Sequence, residues 1–157
     1  MPLVEVDEIM QAPVDMVWEV VNDVEAYPRL MEHVRSLKVL EHGPNYRHLA
    51  WEVDLKGCVM SWVEREEIDH ERYRIDYRQI EGDLAEFEGY WQLEPLTADT
   101  CRATLAVQFD IGIPMLSEMI NPIAERAIRD NSLKMLHSLG SEAASEAERE
   151  ASVQGVR

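Results

Sequence analysis

The sequence predicts an α+β fold in which a seven-stranded antiparallel sheet curves around a long C-terminal helix, and three observations predict it. Apolar and polar residues alternate through residues 34–111, the period of half-buried antiparallel strands. Turn clusters interrupt the alternation at His42-Gly43-Pro44-Asn45, Lys56-Gly57, Asp69-His70-Glu71, Glu81-Gly82-Asp83 and Thr97-Ala98-Asp99, which leaves strands of roughly six to twelve residues. After Gly112 and Pro114 the apolar period becomes helical, with proline suited to a first helical turn.

Each element follows in order. Val4, Val6 and Ile9 open an extended first strand, and Gln11-Ala12-Pro13 hands it over to a helix in which Val17, Val20, Val21 and Val24 recur beside Trp18. Pro28 interrupts a second short helical piece over residues 26–31. Among the later strands, Leu49, Trp51, Val53 and Leu55 share one face, as do Tyr73, Ile75 and Tyr77, and as do Leu105, Val107, Phe109 and Ile111. The last helix carries Met115, Met119, Ile120, Ile123, Ala127, Ile128, Met135, Leu136 and Leu139 on its apolar side, and Pro122 inside it predicts a kink, or a short first piece and a main piece from about Asn121. Residues 1–140 thus read as one domain. Residues 141–157, with Glu142, Glu146, Glu148 and Glu150 among alanines and serines, read as an acidic solvated tail.

Composition narrows the function. A chain of 157 residues is long enough for one core without disulfides or metal. The net charge of −16 repels phosphate backbones and anionic lipid heads, so neither nucleic acid nor a membrane is the expected partner. No apolar run approaches the roughly 20 residues of a membrane span, and the start lacks a basic, then apolar, secretory pattern, so the expected location is cytoplasmic. Cys58 and Cys101 form no CxxC pair and read as small hydrophobes. His42, His48, His70 and His137 have no ligand spacing and read as solvent-facing.

The run Ala12-Pro13-Val14-Asp15-Met16-Val17-Trp18, followed by Asn22-Asp23-Val24-Glu25-Ala26-Tyr27-Pro28, resembles the N-terminal signature of bacterial polyketide aromatase/cyclases, within the helix-grip superfamily of START and Bet v 1-like proteins. The resemblance continues through Ser61-Trp62-Val63, Trp91 and Phe109-Asp110 to Arg129-Asp130-Asn131-Ser132. It implies a helix-grip fold, aldol cyclisation and dehydration of a poly-β-ketone, no metal or organic cofactor, and an acyl carrier protein as a candidate partner. Departures from the family pattern bear on mechanism. Without a gap, the family's pocket serine and arginine fall on Glu64 and Glu66; with a one-residue bulge, Arg65 takes the arginine position. The two alignments predict opposite pocket chemistry, and both stay open at this point. The family's pocket tyrosine falls on Val34 and its glutamine on Val107 or Gln108, while Asn131 carries over unchanged.

A cavity between a curved sheet and a helix is the natural place for a hydrophobic ligand. Trp51, Trp62, Tyr73, Tyr77, Phe87, Trp91 and Asn131 are its expected ligand-binding residues, with Met60, Met115 and Met119 as packing. The expected catalytic candidates are Arg65, Glu66, Glu64 and His33: a desolvated carboxylate suits α-proton removal, a guanidinium suits an enolate oxygen, and a histidine near the mouth suits proton transfer. Adjacent strand residues face opposite ways, so one of Arg65 and Glu66 is expected to point inward. An acidic carrier protein needs a local basic patch here, for which Arg126 and Arg129, or Arg29 and Arg35, are candidates. Three functions compete: a cofactor-independent cyclase, a non-catalytic carrier of a lipid, quinone or polyketide, and a toxin-antitoxin or stress-related interaction module.

Overall fold

The computed structural model describes residues 2–55 and 57–155, with the backbone alone at 114–118 and 154–155. Lys56, assigned above to a turn, and the Met115 side chain, assigned to packing, lie outside the described residues. The chain runs β1 (Leu3–Met10), α1 (Val14–Asn22), a 3-10 turn (Val24–Ala26), α2 (Tyr27–Leu30), β2 (Val34–His42), β3 (Tyr46–Leu55), β4 (Cys58–Asp69), β5 (Arg74–Gly82), β6 (Glu86–Thr97), β7 (Thr100–Asp110) and α3 (Pro114–Gly155). The strands form one antiparallel sheet in the order β1-β7-β6-β5-β4-β3-β2. Each turn cluster read from the sequence joins neighbouring strands, so β2 to β7 form a meander and only β1 crosses over, to pair with β7.

Alternation sets what each strand buries. Val4, Val6 and Met10 of β1, Leu49, Trp51 and Val53 of β3, Ile75 and Tyr77 of β5, and Trp91 and Leu93 of β6 are buried on one face. Against this face lies α3, through Ile128, Met135, Leu136, Leu139 and Ala143. Burial of each large apolar side chain here is worth about 1.5–3 kcal/mol. Two register shifts in β2, at Arg35 and Leu40, one in β5, at Ile80, and one in β6, at Leu96, bend the sheet. The shift at Ile80 decides the open question of the sequence. The extra residue lies on β5, while β4 pairs with β3 without interruption from Cys58 to Glu67, so β4 keeps its alternation.

α3 departs from expectation in two ways. Of the two effects expected of Pro122, division is absent, since α3 runs as one helix of 42 residues with Pro122 inside it; a single missing hydrogen bond is outweighed by the packing of the turns that follow. Met119 and Ile123, counted above on its apolar side, are 73% and 71% exposed, because the buried stripe begins only at Ile128. Past Gly140, where a solvated tail was expected, the helix continues: Ala143 is fully buried, Ala147 packs on the core, and Arg149 pairs with Glu142 and Glu146. Alanine and glutamate are strong helix formers, and the small alanines let α3 approach its neighbours. Gly140 does the same against β1, where an added Cβ would lie 3.0 Å from Glu8 Oε2 and 3.4 Å from Met10 Cγ.

Candidate functional site

Between the sheet and α3 lies a cavity of about 60 Å³. Trp51 of β3 and Trp62 of β4 form a cross-strand pair whose rings stack at 5.6 Å and 10°. Phe87 of β6 leans on Trp62 at 5.1 Å and on Tyr77 at 6.0 Å, which extends the aromatic wall across the sheet. Trp91 and Leu105 continue the wall, and Ile128, Asn131, Ser132 and Met135 of α3 face it. Leu55, Met60, Trp62, Phe87 and Asn131 are half-buried, so the cavity's outer end lies between the β3–β4 hairpin, β6 and α3. Its inner end is closed by buried Glu64 and Tyr77. The Tyr77 hydroxyl crosses Gly89 to donate to the Ala106 carbonyl oxygen at 2.7 Å. A Cβ on Gly89 would stand 2.7 Å from that hydroxyl and 1.8 Å from the carbonyl oxygen, so only glycine admits this crossing.

Glu64 is the one ionisable carboxyl group on the described cavity wall. Trp62 Nε1 donates to its Oε1 at 2.8 Å. The Trp51 Nε1 group also faces this carboxyl, outside the geometry of a full hydrogen bond, and has no other partner. Two residues further along β4, Glu66 is 2% exposed. Arg47, its cross-strand partner on β3, donates to Glu66 Oε1 from Nε at 2.9 Å, and from NH1 to the Asn22 carbonyl oxygen at 3.0 Å. Arg47 NH2 lies 2.8 Å from the same Glu66 oxygen, an ionic contact in which its N–H directions miss hydrogen-bond geometry. Burial first, and then the neighbouring Glu66 carboxyl, push Glu64 well above the usual carboxylate range, against the opposing pull of the two indole N–H groups. Burial and the same carboxyl pair raise the Tyr27 and Tyr77 phenols as well. The site therefore joins an apolar aromatic wall to a buried carboxyl group, at its inner end, whose hold on a proton is strengthened by burial and by Glu66.

The structure brings Trp51, Trp62, Tyr77, Phe87, Trp91, Asn131 and Glu64 together on this cavity and leaves the other four candidates outside it. Tyr73 does not share the face of Ile75 and Tyr77: it precedes β5 with φ 54, which turns its ring onto α1, where it donates to Asp15 at 2.6 Å and packs edge-on to Trp18. Arg65 lies on the outer face, 4.6 Å from the Tyr46 ring centroid and bonded to Glu67, because β4 carries no bulge. Glu66 faces inward as one of the two open alignments required, but its charge is engaged by Arg47 and it does not line the cavity. His33 sits beside Asp54 and Lys134, off the cavity wall; burial and the Lys134 charge lower its pKa. Of the histidines read as solvent-facing, His42, His70 and His137 are exposed and His48 is half-buried; His70 Nδ1 accepts from Trp18 Nε1 at 3.2 Å, His48 meets Arg65 at 3.1 Å and His137 meets Glu8 at 3.4 Å. Cys101 is buried, whereas Cys58 is exposed.

Arg47 and Ser132 escaped the sequence reading as site residues. Arg47 had a usable signal, since it and Glu66 stand equally far from the Lys56-Gly57 turn and a regular hairpin pairs them. Ser132 offered only its place one residue after Asn131.

Comparisons with known proteins agree with this architecture. A putative polyketide cyclase of Streptomyces cyaneus is 31% identical over 132 residues, covering 76% of this chain and 86% of that protein. The persistence and stress-resistance toxin PasT of Escherichia coli is 20% identical over 138 residues, covering 88% and 84%. Among solved structures, a protein of Thermus thermophilus superposes with a TM-score of 0.86 at 23% identity, over 93% of this chain and 99% of that one. The Zhui aromatase/cyclase of a Streptomyces species superposes with a TM-score of 0.83 at 25% identity, over 90% and 93%. The fold is the helix-grip architecture, suited to a hydrophobic small molecule held in an internal cavity, and among the described residues no helix is long and apolar enough to cross a membrane. With residues 10–136 matching the family described as polyketide cyclase/dehydrase and lipid transport, the chain belongs to that family.

Proposed function

We propose that this protein binds an apolar, largely planar small molecule between its sheet and α3 and serves as its carrier or chaperone. The observation that carries the reading is the continuous aromatic wall of Trp51, Trp62, Phe87 and Tyr77 around a cavity with a single carboxyl group. Such a wall gains from the stacking of a flat ligand and offers little to a hydrated one. The fate of the family's arginine position supports carriage over catalysis. Glu66 stands there, tied to Arg47, and Arg65 points away, so no guanidinium faces a ligand oxygen among the described cavity residues.

At about 60 Å³ the cavity is well below the roughly 300–1,000 Å³ of typical ligand pockets. A polyketide, quinone or lipid must therefore displace the half-buried groups at its outer end, Met60, Trp62 and Phe87, before it enters. Native mass spectrometry of protein purified from its source tests the reading directly. A copurifying apolar molecule, lost on Trp62→Ala and kept on Tyr73→Phe, is the expected result; persistent absence of any ligand together with no indole fluorescence change on titration with apolar probes would overturn it.

Cyclisation is the second reading, favoured by Asn131 on the wall of the same cavity as Glu64 and by the 31% identity to a putative polyketide cyclase. In that reading Glu64 exchanges the proton at the reacting carbon, and Glu64→Gln abolishes turnover of a poly-β-ketone while its binding persists. The name ribosome association toxin, carried by a relative from Escherichia coli at 20% identity, suggests a ribosomal surface instead. A net charge of −16 opposes contact with RNA phosphates.

A further inference from the structure

We infer that Glu64 and Glu66 form a carboxyl pair sharing one proton, and that this pair restricts the cavity to uncharged ligands bearing a carbonyl or hydroxyl oxygen. The inference deepens the proposed binding function and rests on it.

Charge balance at the inner end is the first step. Among the described residues Arg47 is the one cation facing the pair, and both of its contacts with the pair go to Glu66 Oε1, which leaves Glu66 Oε2 without a contact to that cation. One arginine balances one carboxylate. A second carboxylate beside it, both groups at most 3% exposed, would stand unneutralised in an apolar wall. The other titratable groups that face the pair do not help: Tyr27 on α2 and Tyr77 on β5 are buried phenols held neutral, Asp23 beyond Tyr27 adds negative charge, and the described residues of α3 present only Asn131, Ser132 and apolar side chains to the cavity. The proton that resolves this stays on Glu64, in line with the upward shift that burial and Glu66 impose on it.

Ligand class follows from what surrounds that proton. The Trp62 indole points its N–H edge at Glu64, and Trp51 lies parallel to it with an otherwise unpartnered N–H facing the same carboxyl. Near Glu64 the wall thus shows the positive edges of two indoles, not their negative faces. A cationic amine prefers aromatic faces and meets the wrong part of both rings. A ligand carboxylate must be desolvated beside Glu64 with the Glu66 anion behind it, whose cation is already engaged. A ketone or hydroxyl oxygen pairs with the protonated carboxyl, which both donates and accepts, and brings no charge to desolvate.

Four probes sharing a benzene ring separate the outcomes: toluene, acetophenone, benzoate and benzylamine, titrated against the full chain at neutral pH by indole fluorescence and by the Trp62 N–H resonance. Acetophenone is expected to bind at least ~10-fold tighter than benzoate or benzylamine, about 1.4 kcal/mol, and to move the Trp62 resonance. Infrared difference spectra should show the carbonyl stretch of a protonated carboxyl that Glu64→Gln removes. Glu64→Leu, which removes the carboxyl, should bring acetophenone to the affinity of toluene. Tightest binding by benzylamine overturns the inference, because the pair is then doubly ionised, and so does benzoate matching acetophenone. Toluene binding without any preference for the ketone sinks the carboxyl pair alone. Failure of all four, toluene included, removes the cavity-binding function beneath it.

Discussion

A glutamate two positions from another on one face of a strand is an unfavourable choice for a core, and at Glu64 and Glu66 the consequence is measurable in the stability of the fold. Glu64 has a folded pKa raised above its unfolded value, so the folded state holds a proton that the unfolded chain releases first. Its contribution is fully present below the ordinary carboxylate range and declines as pH rises toward the folded value, by up to about 1.4 kcal/mol per pH unit for a whole proton. Urea melts across that window should show the wild type losing stability relative to Glu64→Gln as pH increases; parallel curves would mean that Glu64 is ionised in the fold. Arg47 makes the converse case. Arg47→Met leaves Glu66 buried without its cation and the Asn22 carbonyl without its donor, at a cost of about 3–5 kcal/mol. The double change Arg47→Met with Glu66→Leu should recover most of that loss, which equilibrium denaturation of the wild type and the two variants reads.

Strands and turns explain what the sequence could and could not reveal. Where alternation ran without interruption, as in β3 and the first half of β4, the inward faces of Trp51 and Trp62 were legible. The face of β4 beyond Trp62 was not, because a bulge on either of two paired strands satisfies the same sequence, and only the pairing shows that Ile80 of β5 is the extra residue. Tyr73 was misplaced by extending period two across a strand's start, where a left-handed backbone redirects the side chain. At the element scale the sharpest test is the β5–β6–β7 crossing. Gly89→Ala forces a methyl group into the Tyr77 hydroxyl and the Ala106 carbonyl, and should destabilise by about 1–3 kcal/mol or more. Tyr77→Phe, which removes the hydroxyl but keeps the packing, should cost only about 0.5–1.5 kcal/mol. If Gly89→Ala proved neutral in urea melts, Tyr77 would not be crossing the backbone there.

For the whole molecule, the decisive element is α3, which closes the cavity at one end and ties down the first helix at the other. Ile128, Asn131 and Met135 face the aromatic wall, while two turns further on Ala143 is sealed in the core and Ala147 packs against it. The acidic, alanine-rich composition of residues 141–157 fits a solvated tail and a packed helix equally, since alanine suits both a close helix contact and a chain with little to bury. The chain's own partners separate the two, as Glu142 and Glu146 share Arg149. Because one helix spans both regions, the far end should affect the cavity. A chain ending at Gly140 loses the Ala143 contact and uncovers Val20 of α1, which is otherwise 9% exposed. Two outcomes are expected: a loss of at least about 1 kcal/mol in urea denaturation, and faster amide exchange at Asn131 and Ser132, several turns from the cut. A stabilised fraying end would confine the faster exchange to the last turn before the cut. Unchanged stability and exchange in the truncated chain would show that 141–157 is solvated after all, and that the helix packing at Ala143 contributes nothing to holding the cavity closed.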